Sequence, residues 1–354
     1  MPLYVDGHLD LAFNVVAHGR DLTRSVAAIR RDEQRDSQEI LVTLPELRQG
    51  VVGVVIGTLY TAPRDLVRPP EAPPLTPKQR ARQRALTYAT PEEAERQALE
   101  QLAVYERWEA EGEIRILRTR GDLAQHEQAW PSGDRTIGLI VSMENADPIR
   151  TPGDLPAWVE RGVRLVGPAW QRTRYCGGTS TPGPLTDLGR DLVQAMTKHG
   201  IPLDVSHLAE ESFWDALDLD PPFDFASHSN ARALTPTDRH LTDAMIEAIG
   251  QRDGVVGVAL GNELVKADVR RSDPKSSVTL ADVRAQAEHI AGLIGWNRVA
   301  IGSDFDGGFG LQETPLGITR GADFATLGTI APPETRDGVL GGNWLRFLRR
   351  ALPD

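Results

Sequence analysis

Six polar residues at the ends of short apolar runs carry most of the chemical information in this sequence. His8 and Asp10 stand in VDGHLDLAFN, Glu144 in IVSMENADP, His207 in PLDVSHL, His228 in DFASHSNARAL and Asp304 in AIGSDFDGG. Imidazole nitrogens and carboxylate oxygens together suit a borderline divalent ion such as Zn²⁺. Strand side chains alternate with period two, so an extended segment offers His8 and Asp10 to the same ion. Six candidates exceed what one catalytic zinc with an open position needs, and the two oxygens of a carboxylate such as Glu144 can bridge a pair of ions. The expectation is two Zn²⁺ per chain sharing a water whose pKa falls enough to supply hydroxide near neutral pH. Each residue alone has a plain structural alternative. A lone histidine at a strand end usually makes one hydrogen bond, and an acidic residue in a β–α turn often caps the next helix. Their joint occurrence at five strand ends is the argument for a shared site. The other five histidines, His18, His126, His199, His240 and His289, fall in helical or loop positions and are not expected to take part.

The elements that must position these residues alternate. Eight β-branched or apolar runs read as strands: Leu3 to Val5, Val51 to Leu59, Thr136 to Ser142, Val163 to Val166, Ile201 to Val205, Phe223 to Ala226, Gly254 to Leu260 and Val299 to Gly302. Helical stretches with recognisable ends lie between several of them. Thr90-Pro91-Glu92-Glu93 reads as a capping box, with Ala94, Ala98, Leu102 and Tyr105 on one face. Thr186 opens a second helix, and Gly200 supplies the permissive residue past its end. Thr242 and Gly250 bracket a third, and Thr279 with Asp282 starts a fourth. Strands alternating with helices imply parallel pairing through β–α–β crossovers. Eight such units predict a single (β/α)8 TIM-type barrel domain over 1–354, in which all strand C-termini meet at one rim. The Pro-rich stretch from Ala62 to Pro77, within an insertion over 62–90 after the second strand, reads as a long surface loop with a lid as its functional alternative.

Composition narrows the partners. A net charge of -11 argues against nucleic acid or an anionic membrane surface, both of which need basic patches. A small-molecule substrate is expected instead. One cysteine, Cys176, allows no intrachain disulfide and fits a reducing compartment. Met1 to Asp6 enter the first strand without a basic segment and apolar core of a signal peptide. A cytoplasmic location is the expectation.

The motifs GHLDLAFN, SMENADP, LDVSHL, ASHSNARAL, IGSDFDGG and the near-terminal GGNWLRFL, in that order along the chain, resemble the renal or membrane dipeptidases, a metallopeptidase branch of the amidohydrolase-like barrels. The resemblance implies that His8 and Asp10 bind one zinc, that His207 and His228 bind the other, and that Glu144 bridges them. It implies a proton-handling role beside the bridging water for Asp304, and a grip on the substrate's terminal carboxylate for Arg239. Arg232 is a nearby alternative for that grip, and a solvated loop arginine is the plain reading of either. A homodimer is implied in the same way. Many amidohydrolase barrels bridge their metals with a carbamylated lysine, but no lysine lies between Lys78 and Lys198, which leaves the bridge to Glu144.

One departure concerns substrate binding. In GVRLVGPAW, Trp170 takes the place of a family histidine that contacts the substrate near the scissile bond. Indole has one N–H donor and no acceptor, so it cannot do what an imidazole does there. Trp170 either packs or reshapes the pocket for another dipeptide or an N-acyl amino acid. The expected activity is therefore hydrolysis of a dipeptide amide. Hydrolysis of an N-acyl amino acid or a lactone, or deamination of a ring, at the same site is the first alternative, and a metal-binding protein without turnover is the second.

Overall fold

The computed structural model describes residues 2–33, 38–65 and 74–354. Its strands are β1 (Tyr4–Leu9), β2 (Val52–Tyr60), β3 (Ala62–Pro63), β4 (Thr87–Tyr88), β5 (Ile114–Ile116), β6 (Ile137–Glu144), β7 (Val163–Gly167), β8 (Leu203–Asp204), β9 (Asp224–Phe225), β10 (Val256–Val258) and β11 (Val299–Ile301). The eight expected runs coincide with β1, β2, β6, β7, β8, β9, β10 and β11. A curled parallel sheet orders β1-β2-β6-β7-β8-β9, with β5 added along the start of β6, and β10 pairs with β11. A single parallel bridge, Ala226 with Val256, links the two sheets. At the far side the Asp304 N–H donates to the His8 carbonyl at 3.2 Å, which brings the chain after β11 against β1. Every residue of β6, and all of β2 except Tyr60, is buried, as expected of strands covered on both faces.

The chain end explains GGNWLRFL. The helix Asn343–Ala351 packs Trp344, Phe347 and Leu348 against Val5, Val54, Ile56, Ile140, Leu165 and Phe225, at the end of the sheet away from the six polar residues. Trp344 Nε1 donates to the Ile301 carbonyl at 2.8 Å. Gly7 is required beneath it, because a Cβ there would come within 2.4 Å of the Trp344 ring. Truncating a buried aromatic of this kind costs about 3–5 kcal/mol.

Four local expectations need correction or refinement. The 62–90 insertion is not loop throughout, since the helix Pro77–Leu86 follows the Ala62 to Pro77 stretch and β3 pairs with β4 at its base. Residues 66–73, the middle of the stretch read as a surface loop or lid, lie outside the described residues. At Thr90 only half of the capping box forms. The Thr90 side chain accepts from the Glu93 N–H, but the Glu93 carboxylate turns to the Ala89 N–H and Arg64 instead. Gly250 does not end its helix, which runs Asp243–Gln251, and packs against Ile294 from inside it. At Thr279 the cap is reciprocal, with Asp282 accepting from the Thr279 N–H at 2.8 Å.

Candidate metal centre

The six polar residues converge on one rim. His8 is the penultimate residue of β1, and Asp10 directly follows that strand. Asp10 occupies the N-cap of the helix Leu11–His18 yet makes no side-chain cap bond, which leaves its carboxylate to face the rim. Glu144 is the last residue of β6. His207, His228 and Asp304 each stand three residues past the ends of β8, β9 and β11. His207 and Asp304 hold φ of 66° and 57°, a left-handed backbone that costs of order 1–3 kcal/mol and gathers at functional sites.

The distances tie the set together. Glu144 Oε1 is 3.0 Å from His207 Nε2 and 3.5 Å from His228 Nε2, while Oε2 is 3.5 Å from His8 Nε2. Three groups place all their ligand atoms within 4.8 Å of one another: His8, Asp10 and Glu144; Glu144, His207 and His228; and His8, His228 and Asp304. The donor set fits divalent cations, and two features argue that it is incomplete as protein alone. Among the described residues, His8 Nε2 and Asp10 Oδ1 are buried without a hydrogen-bond partner, and His207 Nε2 faces His228 Nε2 at 3.1 Å. A buried polar atom left unpaired costs about 1–3 kcal/mol, and cations held by the two ligand groups that share Glu144 would engage all four atoms.

The electrostatics are strongly coupled. Burial opposes ionisation of Glu144, but the His8 charge and hydrogen bonds from His207 and His228 hold its carboxyl well below the ordinary range. Burial and then the Glu144 charge push Asp10 up to about 7. Burial lowers His228 well below its ordinary value, helped by the charges of His8 and Arg239. Burial also lowers His207, again helped by Arg239, to about 4. His207 and His228 are thus neutral beside an ionised carboxylate, as ligation requires. For His8, burial is outweighed by the charges of Glu144, Asp10 and Asp304, which push it up to about 10, so that His8 gives up a proton when a cation binds.

Several supporting residues escaped sequence reasoning. Thr179 Oγ1 lies 2.9 Å from His207 Nδ1, and Ser227 Oγ lies 2.7 Å from His228 Nδ1. Buried carboxylates clamp the strand ends: Asp6 accepts from the Ser303 N–H, Asp204 from the Ser206 and Ser227 N–H groups, and Asp306 from the Leu41 and Val42 N–H groups. A signal existed, since Asp6 and Asp204 are acids inside apolar strand runs, two and three residues before a histidine.

The rim opens into a cavity of about 710 Å³ lined by Asp10, Glu144, His207, His228 and Asp304. Phe13, Tyr60 and Trp170 form an aromatic part of its wall, and the buried Arg239 a cationic part. Arg239 donates to the His228 carbonyl at 2.7 Å and to Ser229 Oγ at 3.2 Å. Arg232 does not line this cavity; it donates to the His240 carbonyl and pairs with Glu210. None of the five remaining histidines lines it either. His126 bonds the Gly53 carbonyl, His289 pairs with Asp243, and His240 is buried behind the wall.

The chain is similar to known proteins over most of its length. A protein from Klebsiella pneumoniae, uncharacterised and encoded in the pqqA 5' region, is 33% identical over 251 residues, covering 67% of this chain and 89% of its own. The dipeptidase tcpJ of Claviceps purpurea is 30% identical over 198 residues, 53% of this chain, and the chain spans 44% of that protein's length. The crystal structure of a metallopeptidase from Rhodobacter sphaeroides, liganded with a phosphinate mimic of the dipeptide L-Ala-D-Ala, superposes with a TM-score of 0.78 at 25% identity over 99% of both chains. The family model described as membrane dipeptidase, peptidase family M19, matches residues 2–351, and the chain belongs to that family.

Proposed function

We propose that this protein hydrolyses the amide bond of dipeptides at a centre of two divalent cations, with zinc the expected metal. The observation that carries the reading is the position of Glu144, whose two oxygens face different ligand sets, His8 on one side and His207 with His228 on the other. His8 and Asp10 would hold one ion, His207 and His228 the other, and Glu144 both. Bound there, the ions would lower the pKa of a shared water and polarise the scissile carbonyl.

The chain's own residues do the rest. Arg239, buried and anchored on the His228 carbonyl, takes the substrate carboxylate and sets its distance from the cations. Asp304 takes the proton released by the attacking water and hands it to the leaving amine, a transfer worth about 10²–10⁴ in rate. Trp170, Tyr60 and Phe13 exclude water from one wall and receive an apolar part of the substrate. That wall favours a second reading, hydrolysis of an N-acyl amino acid, in which the acyl group meets the rings.

The fold proposal is that the eight long-range strands close into a (β/α)8 barrel. The Ala226 to Val256 bridge and the Asp304 to His8 hydrogen bond support closure at the two gaps in the ladder. A homodimer and a cytoplasmic location belong to the same reading. They rest on the family likeness and on a single cysteine, which is buried. Among the described residues no helix is long and apolar enough to cross a membrane.

The test is direct. The protein is purified with zinc, its metal content is measured, and release of free amine is followed on L,L and L,D dipeptides and N-acyl amino acids. About two zinc ions per chain with dipeptide turnover is the expected result. Turnover of N-acyl substrates alone would select the second reading, and bound zinc without turnover on any amide would refute both.

A further inference from the structure

Beneath the ligand rim, three buried serines tie its imidazoles together. Ser227 Oγ lies 2.7 Å from His228 Nδ1 and 3.4 Å from His8 Nδ1. It also lies 3.4 Å from Ser206 Oγ, which accepts from the His228 N–H at 3.1 Å and from Ser229 Oγ at 3.1 Å. Ser206, Ser227 and Ser229 are all buried. The His8 and His228 rings stack, with centroids 3.7 Å apart and planes 28° from parallel, which lets both Nδ1 atoms approach one hydroxyl.

A serine hydroxyl offers one proton and two lone pairs. Ser206 Oγ already accepts two bonds, and the Ser227 side chain also bonds the Asp204 carboxylate; with the Ser227 proton directed there both its lone pairs are free, and each can accept an Nδ1–H from one ring. Both rings are then held in the tautomer whose Nε2 carries a lone pair, the form that ligates a metal. The two rings belong to different ligand groups on the two sides of Glu144, His8 with Asp10 and His228 with His207, and share a third with Asp304. His207 is served separately by Thr179 Oγ1 at 2.9 Å.

We infer that Ser227 is a positioning residue shared by the two cation positions, so that its hydroxyl sets the affinity of both at once. The inference rests on the two-cation reading of the rim and goes beyond it by making the two affinities depend on one proton acceptor. A ring released from Ser227 can take the other tautomer and turn an N–H toward the cation, and loss of such an outer partner costs about 10–100-fold in metal affinity.

The experiment titrates the metal-free full chain with Co²⁺, following visible absorption and heat to resolve two binding steps. Ser227→Ala should weaken both steps by about 10–100-fold, and Thr179→Val only one. A Ser227→Ala protein in which either step keeps its wild-type affinity overturns the inference while leaving the two-cation reading intact. Wild-type protein that takes up no Co²⁺ overturns both. If Ser227→Ala does not fold, the zinc-loaded wild type decides by ¹⁵N NMR of its histidines. A proton on Nδ1 and metal on Nε2 in both His8 and His228 supports the shared acceptor, and ligation through Nδ1 in either ring overturns it.

Discussion

Trp170 meets Tyr60 edge to face, with ring centroids 5.3 Å apart and planes at 80°, in the wall of the cavity that holds Glu144 and His207. Phe13 also stands edge-on to Tyr60, with centroids 4.9 Å apart and planes at 87°. Edge-to-face pairs are worth about 0.5–1.5 kcal/mol beyond their buried area, so the three rings form a fixed apolar surface rather than a loose one. The Trp170 ring is also 6.2 Å from that of His207, which sets this surface against the cation rim.

On the proposed reading, this surface makes Trp170 a residue that selects among substrates. Trp170→Ala should lower kcat/KM by about 10–200-fold for substrates with a large apolar group against the wall, the range that apolar contacts supply. Glycine-containing dipeptides should change little, and metal content should not change. Trp170→His should move the profile toward small polar dipeptides. Identical profiles for the wild type and both variants on a panel of dipeptides and N-acyl amino acids would remove Trp170 from substrate selection.

The two arginines make opposite predictions. Arg239 is buried at the cavity, and a hydrogen bond from a charged donor is worth about 1.5–3 kcal/mol. Arg239→Gln should raise KM about 10–150-fold for substrates with a free carboxylate, and hardly at all for their C-terminal amides. Arg232→Gln loses the contacts with Glu210 and the His240 carbonyl and should leave KM unchanged. Steady-state kinetics on acid and amide pairs would separate them, and an unchanged Arg239→Gln would assign the carboxylate elsewhere.

His240 carries a pH-dependent stability term. It is buried, and among the described residues neither ring nitrogen has a hydrogen-bond partner. Burial first, then the charges of Arg239 and Arg232, lower its pKa from 6.5 to about 3. In the unfolded chain the ring takes a proton near its ordinary value. Between about 3 and 6.5 the unfolded state thus binds more protons, and folding stability is complete above that window and falls as pH drops through it. The slope is about 1.4 kcal/mol per pH unit. Denaturant unfolding of metal-free wild type and His240→Leu should diverge in this sense below pH ~6. Parallel pH profiles would show that His240 is not the group responsible.

Much of this site was legible because its residues break the apolar pattern where strands end. Glu144 and His228 stand out against runs such as IGLIVSM and DFAS, and eight such runs gave the parallel strands. Other features depend on three-dimensional neighbours. Thr179 and Ser227 matter only because His207 and His228 lie beside them, and a hydroxyl in a loop carries no periodic signal. The choice between Arg239 and Arg232 turns on which one faces the cavity, although both follow His228 closely in sequence. Gly250 resembled a helix end, but its use is close packing against Ile294, which no local rule reveals. At Thr90 the expected partner Glu93 was claimed by Arg64, 29 residues away.

Asp304 gives the sharpest test of the proposed chemistry. Its left-handed φ of 57° is one that Asp and Asn both tolerate, so Asp304→Asn leaves the backbone and its bond to the His8 carbonyl in place. Asparagine cannot accept and release a proton, and turnover should fall by about 10²–10⁴-fold if Asp304 serves the leaving amine. Metal analysis decides between the two roles its position allows, since the same carboxylate groups with His8 and His228. Content near two ions per chain with low turnover supports proton transfer, whereas loss of an ion would make Asp304 a ligand. A second variant acts through space alone. A Cβ at Gly307 would overlap Asp304 Oδ1 and come within 3.1 Å of Asp10 Oδ2, so Gly307→Ala must displace the Asp304 carboxylate without changing its chemistry, and metal content shows whether Asp10 stays in place. Its turnover should fall with metal content near two ions per chain, and full activity of Asp304→Asn would exclude Asp304 from the reaction.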